Sequence, residues 1–461
     1  MSGSRKDDHL ALAARQQREA HGEPPQPADA TTPAPDNASS VPSPRPAGSG
    51  STYCAWDDVR ILHHSLAGID PGQADISTTI QTDPSGGENA NAGTNASANA
   101  HTAPTLHWGL PFYINGMTGG SELTAGVNRV LAETAARTGI AVATGSMSIF
   151  LREPDTLPTF SILRDRNPHG TVWANLSADA TPDDAARVVD ALHADALQIH
   201  VNAVQETVMP EGSRGYASWR RNIEAIVNAL QATHTPVIVK EVGFGMTRNT
   251  LQQLHDLGVS IADVSGRGGT NFARIENDRR TDRDFSYLTG FGQSAAFSLL
   301  DATTADPDTL PTLFASGGVR QPYDVLRGLA LGAGAVGVAG TFLHTALSTG
   351  VGDATRSPQE RAQGIDAAVD ALTSQINRWA EHLQALYEMV GATSTSDLHN
   401  TDALITGSLA ESARARGLIS LPSPTVVDKT NNRYARFSSG SLEGKNLKNN
   451  SRIRAQIKPD K

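Results

Sequence analysis

TLFASGGVRQPYDVLRGLALGAGAVGVAGTF, residues 312–342, places two short apolar runs on either side of a helix-length segment, and each run ends in glycine and small residues. Two buried strands joined through a helix make a βα repeat. Six similar runs precede this pair: PFYINGM (111–117), GIAVATG (139–145), TVWANLS (171–177), ALQIHVNAV (196–204), PVIVKEVG (236–243) and VSIADVSG (259–266). Between them, segments such as LTAGVNRVLAETAART (123–138) and PDDAARVVDALHA (182–194) repeat apolar residues every three or four positions, as helices packed on a sheet require. Thr181-Pro182-Asp183-Asp184 supplies a helix N-cap signature before the second. Eight βα units with continuously apolar strands predict an α/β fold, a (β/α)8 TIM barrel rather than an open sheet.

The rest of the chain dilutes this barrel. Of 461 residues only 38 % are apolar, while 42 are Gly and 25 Pro. Residues 23–51 hold eight of the prolines, and 82–105 contain no Leu, Ile, Val, Phe, Met, Tyr or Trp, so both are expected to be disordered insertions. Residues 419–461 carry nine Lys or Arg against three Asp or Glu and read as a basic disordered tail. The expected organisation is an N-terminal basic arm (1–22), an insertion (23–51), a segment capping the barrel bottom or packing outside it (52–81), a second insertion (82–105), the barrel (106–418) and the tail (419–461).

The formal charge is −10 although the tail is basic, so the body is acidic and a nucleic-acid partner is not expected. One cysteine, Cys54, precludes an internal disulfide and a cysteine metal cage, which suits a reducing compartment. No secretory h-region and no apolar run of membrane-spanning length is present, so the protein is expected to be cytoplasmic.

In a barrel the chemistry gathers at the C-terminal ends of the strands. SGGVR and VAGTF, after the seventh and eighth runs, expose consecutive backbone N–H groups suited to phosphate, and Arg320 can add a bidentate charge. They also read as the glycine turns any barrel needs. SGRGGTNF (265–272) is a second glycine-rich loop on the same rim. Lys240 lies inside an apolar run, where an ammonium either forms a structural ion pair or meets an anionic ligand such as the N1–C2=O edge of a reduced flavin. Gln205 and Glu206 leave the fourth strand as an amide beside a carboxylate, fit for Mg2+ bridged to phosphate or for an ordinary loop entry.

Together, PFYINGMTGGS, ATGSMS, ANLS, LQIHVNAVQETVMPEG, VIVKEVGFGM, SGRGGTNFARIENDRR and FASGGVR resemble the type 2 isopentenyl-diphosphate isomerases, FMN-dependent (β/α)8 enzymes. The resemblance covers about residues 5–20, 53–80 and 108–418. It implies FMN contacts at Gly116, Met117 and Thr118 after the first strand, at Ser146 and Asn175 after the next two, and at Lys240, Ser265 and Thr270 on the far side. Gly317, Gly318, Arg320, Ala339 and Gly340 complete that set. It implies substrate contacts from Arg5, Lys6 and His9 of the arm and from His200, Asn202 and Gln205, with Mg2+ on Glu206. NADPH or NADH would reduce the flavin, and a homotetramer or homo-octamer would form. Three departures stand out: Gly116 replaces the family's usual alanine, Ser148–Glu153 is bulkier than the family's small-residue stretch followed by Lys-Asp, and the insertions at 23–51 and 82–105 separate the basic arm from the barrel.

The implied reaction adds a proton at the terminal alkene carbon of isopentenyl diphosphate and removes one beside the diphosphate ester, giving dimethylallyl diphosphate. It is an isomerisation that moves a C=C bond with no net redox change. An alternative is an FMN barrel oxidoreductase of the 2-hydroxy-acid oxidase or inosinate dehydrogenase type. The former needs a late-strand histidine base, but no His lies between residues 256 and 343, and the latter needs a barrel-loop cysteine, whereas Cys54 precedes the barrel. A flavin-binding regulatory protein would have no need of Gln205 and Glu206.

Overall fold

Each of the eight apolar runs forms a strand in the computed structural model, which describes residues 2–20, 22, 54–82 and 105–419. The strands are β1 (Phe112–Ile114), β2 (Ala141–Ala143), β3 (Val172–Ser177), β4 (Ala196–Val201), β5 (Val237–Glu241), β6 (Ile261–Asp263), β7 (Thr312–Ser316) and β8 (Ala335–Val338). All neighbours are parallel, and β8 pairs with β1, which closes the barrel. The expected TIM barrel is therefore present. The helices fall where the three-to-four periodicity placed them, at Glu122–Thr138 and Pro182–Leu192, and Thr181 and Asp184 form the reciprocal N-cap of the second.

Inward side chains near the N-terminal ends plug the barrel. Tyr113 and Trp173 pack with ring centroids 4.9 Å apart, and Phe314 stacks on Trp173 at 6.2 Å. Trp108 closes this layer from below, edge-on to Trp173 at 5.6 Å. It belongs to a hairpin, Thr78–Gln81 paired antiparallel with Thr105–Trp108. The segment read as a cap therefore does several things. Its hairpin strand covers the bottom, and Val59–Ile61 lies outside the barrel, paired with Ala403–Ile405 of the C-terminal extension. Its start reaches the opposite rim, where Cys54 and Trp56 donate to the carbonyls of Gly318 and Gly317.

The insertions read at 23–51 and 82–105 and the tail at 419–461 lie almost wholly outside the described residues. At their edges Thr105 pairs with Gln81, and Ile419 packs against the main core. After β8 a short helix, Gly340–Leu347, starts at the rim, and the long helix Ile365–Val390 then packs on Glu122–Thr138. The bulky Ser148–Glu153 stretch is absorbed as a short helix, Ser148–Arg152, with Ile149 and Phe150 buried. Among the described residues no helix is long and apolar enough to cross a membrane.

Candidate functional site

The N-terminal arm is a helix, Ser2–Ala20, laid across the C-terminal mouth of the barrel. Its docking partners come largely from one place, the loop and helix Phe272–Asp278 after β6. Gln16 donates to the Asn271 carbonyl at 3.2 Å and accepts from the Asn271 N–H at 2.9 Å. Arg15 pairs with Asp278, Glu19 with Arg274 at 2.7 Å, and His9 Nε2 lies 2.9 Å from a Glu276 carboxylate oxygen. On the other flank Ser121 donates to Asp7 at 2.6 Å.

Between arm and barrel lies a cavity of about 490 Å³, a size typical of small-molecule sites. Lys6, His9, Leu10, Ala13, Gln16 and Gln17 form its roof. Of the residues expected at a flavin, Gly116, Met117 and Thr118 line it, as do Lys240, Ser265 and Thr270, and so do Gly317, Gly318, Arg320, Ala339 and Gly340. Ser146 and Asn175 stand outside this wall. The Ser146 hydroxyl lies 3.0 Å from that of Ser148, and Asn175 is buried between Gln198 and His200. Arg5, His200, Asn202, Gln205 and Glu206 also lie outside the wall.

Glycine is obligatory at the corner between β6 and β7. Gly317 has φ +98°, and a Cβ there would stand 1.9 Å from the Gly266 carbonyl oxygen. The two loops touch backbone to backbone, and beside them the helix Gly340–Leu347 begins. Backbone turns plus a helix start form the kind of corner that takes phosphate. Arg320 lies there, but its fork is closed. It pairs with Asp57 through both terminal nitrogens, at 2.7 and 3.1 Å, and with the buried Asp324 at 3.2 Å.

At the floor Lys240 is 6 % exposed and donates to the Glu241 carbonyl at 2.7 Å. Burial lowers its pKa, while Asp263 and Glu241 act to keep it charged. Asp263, on the neighbouring strand, is fully buried and accepts from Tyr113 Oη, Asn115 Nδ2, the Ser316 hydroxyl and the Ser265 N–H. The neighbouring Glu241 side chain faces elsewhere, accepting the N–H groups of Val242, Gly243 and Phe244, and burial raises its pKa to about 7.

Under the arm sits a second charged cluster. Glu276 is fully buried and accepts from Gln205 at 2.7 Å and Arg279 at 2.6 Å. Burial alone would raise this carboxyl, but His9, Gln205 and Arg279 outweigh it and bring its pKa to about 2. Asn202 donates to Gln205 at 3.2 Å and to Glu206 at 3.0 Å, and the other Glu206 oxygen accepts the Ser213 N–H. Burial raises the Glu206 pKa. Lys6 is lowered to about 8 by burial and by Arg5 and Arg152. The sequence reading missed Glu276 and Asp263. Asp263 carried a usable signal, a carboxylate inside the apolar run VSIADVSG, whereas Glu276 stands in the polar stretch ARIENDRR.

The residues present fit FMN: a buried cation on the floor suits the anionic edge of a flavin, and the glycine corner suits its phosphate. For Mg2+, no cluster of three or more His, Cys, Asp or Glu able to hold a metal forms among the described residues. A single carboxylate, Glu206, matches an ion that keeps water and phosphate oxygens as its other ligands.

A sequence profile of the FMN-dependent dehydrogenases matches residues 161–377. The isopentenyl-diphosphate delta-isomerase of Kitasatospora griseola is 44 % identical over 417 residues, covering 90 % of this chain and 93 % of that protein. The enzyme of the same name from Nocardia farcinica is 42 % identical over 418 residues, 91 % and 94 % of the two chains. That from Staphylococcus epidermidis is 42 % identical over 363 residues, 79 % and 91 %. A solved mandelate oxidase superposes with a TM-score of 0.45 at 14 % identity, covering 76 % of this chain and 90 % of its own.

Proposed function

The chain belongs to the isopentenyl-diphosphate delta-isomerase family, and on that premise we propose that it interconverts isopentenyl and dimethylallyl diphosphate in the cavity beneath the arm helix. The carrying observation is the placement of Lys6 and His9 over a cavity floored by buried Lys240 and cornered by glycine loops. Diphosphate is a dense anion, and the arm brings cations to it. Lys6, with a pKa of about 8, is mostly an ammonium at neutral pH, and Arg5 stands beside it. Charge-assisted contacts of this kind fix an anionic head group and leave its hydrocarbon tail to the cavity.

An unactivated alkene is a very weak base, and protonating it develops tertiary carbocation character, so water has to be kept out. The arm helix does this by closing the mouth with Leu10 and Ala13, both buried. Glu206 would hold Mg2+. Asn202 orients that carboxylate, and Glu276 holds Gln205 through its amide nitrogen. Bound in reduced form, FMN would supply the acid–base group at the double bond, with NADPH or NADH as the source of its electrons. Lys240 and the Gly317–Gly318 and Ala339–Gly340 corners would hold it. A cytoplasmic location and a homotetramer or homo-octamer belong to the same reading, the oligomer being measurable by light scattering.

The test is an anaerobic incubation of purified, FMN-loaded protein with isopentenyl diphosphate, Mg2+ and NADPH. Dimethylallyl diphosphate should accumulate through many turnovers for each NADPH consumed. Consumption of NADPH in proportion to product would point instead to an oxidoreductase, and absence of product would refute the proposal.

A further inference from the structure

Beneath the cavity a line of side chains crosses the barrel interior, and the direction of every hydrogen bond in it is fixed. Asn115 lies between two groups that admit one orientation only. Its Nδ2 donates to Asp263 at 3.0 Å, and its Oδ1 accepts the backbone N–H of Gly116 at 2.9 Å. A carboxylate accepts and a backbone N–H donates, so this carboxamide cannot be turned round. Gln198 Nε2 then donates to Asn115 Oδ1 at 3.4 Å, which turns Gln198 Oε1 toward Asn175. Asn175 Nδ2 donates to that oxygen at 3.0 Å, and Asn175 Oδ1 is left 2.9 Å from His200 Nδ1. The last link has a donor only if His200 Nδ1 carries the hydrogen.

The ring is also kept neutral. Burial lowers its pKa to about 3, helped by Lys240 and Lys6, with the Leu176 carbonyl acting the other way. A neutral imidazole with its hydrogen on Nδ1 has a lone pair on Nε2.

We propose that Asp263 and the Gly116 N–H, through Asn115, Gln198 and Asn175, lock His200 as the Nδ1–H tautomer, so that its Nε2 is a hydrogen-bond acceptor and not a donor to the diphosphate. Diphosphate oxygens are acceptors too, so this His200 is matched to a donor such as the Lys6 ammonium, and holding the anion falls to the arm. Asp263, Asn115, Gln198 and Asn175 are then positioning residues. The inference deepens the isomerase reading by giving one of its substrate-side residues a defined protonation state, and it rests on that reading for the identity of the anion.

The experiment is solid-state 15N spectroscopy of the FMN-bound full chain labelled in histidine, with the His200 signals identified by their loss in His200→Asn. An unprotonated Nε2 and a protonated Nδ1 are expected in the wild type throughout pH 6–9. Gln198→Leu cuts the line between Asn115 and Asn175, frees the Asn175 carboxamide to turn, and both tautomers should then appear. Adding Asn175→Asp to Gln198→Leu restores an acceptor-only partner and should bring back the single tautomer. A wild-type Nε2–H form, an imidazolium at neutral pH, or an unchanged single tautomer in Gln198→Leu would each overturn the proposal. The reading needs no substrate, so an inactive protein with the expected tautomer would refute the isomerase reading alone, and an active one with the opposite tautomer would refute only this inference.

Discussion

Replacing Glu276 with Gln separates the two jobs of the cluster under the arm. In the folded protein His9, Gln205 and Arg279 bring this buried carboxyl from an ordinary 4.5 to about 2. Each unit is worth about 1.4 kcal/mol of preference for the charged form, so at neutral pH the carboxylate contributes about 3 kcal/mol to folding. Because the folded value is the lower one, the unfolded chain takes up a proton first as pH falls. The contribution is complete above about 4.5 and is lost as pH drops through about 2. Urea unfolding of wild type and Glu276→Gln, followed by tryptophan fluorescence, should differ by about 3 kcal/mol at pH 7 and converge near pH 2. The arm should loosen as well, since its His9 contact is lost, and trypsin should cut after Lys6 and Arg15 sooner in the variant. Equal stability at pH 7, or a gap that persists unchanged at pH 2, would falsify the account of Glu276 as a charged anchor.

Further outcomes are expected. Lys6→Met should raise the KM for isopentenyl diphosphate by roughly 10–100-fold, the worth of one charge-assisted contact. The wild-type KM should itself rise above about pH 8, where the ammonium is lost, and a flat profile to pH 9 would count against Lys6. Glu206→Gln should remove most activity at low Mg2+ and recover part of it at high Mg2+, and an unchanged Mg2+ titration would rule out Glu206 as the ligand. Gly317→Ala forces a side chain against the Gly266 carbonyl, so purified protein should lose its yellow colour, which absorbance at the flavin band reads directly. Trp108→Ala empties the barrel floor and should cost about 3–5 kcal/mol in denaturation while leaving FMN affinity in place.

The barrel was readable because its strands are apolar on both faces and its glycines sit where loops meet, both local features. Lys240 was readable for the same reason: a charge inside PVIVKEVG has to be accounted for. Asp263 offered an equal signal in VSIADVSG, yet its importance comes from Asn115 and Tyr113 across the barrel, which no spacing rule connects to it. Arg320 shows the limit from the other side. Its loop suggests an open fork for phosphate, but Asp57, which closes that fork, belongs to the segment that precedes the barrel. Arg5, Lys6 and His9 were legible only by resemblance. The helix they ride on owes its position to Asn271, Arg274, Glu276 and Asp278, four residues of a stretch that reads as an ordinary charged helix.

The two stretches read from the sequence as insertions are not equivalent for anyone wishing to modify the chain. The hairpin that carries Trp108 opens between Gln81 and Thr105 at the end of the barrel away from the cavity, so a fluorophore, an affinity tag or an immobilising tether there would leave the chemistry alone. The stretch between Ala20 and Cys54 is different, because both of those residues line the cavity itself. Severing it would turn the roof into a separate peptide supplied in solution.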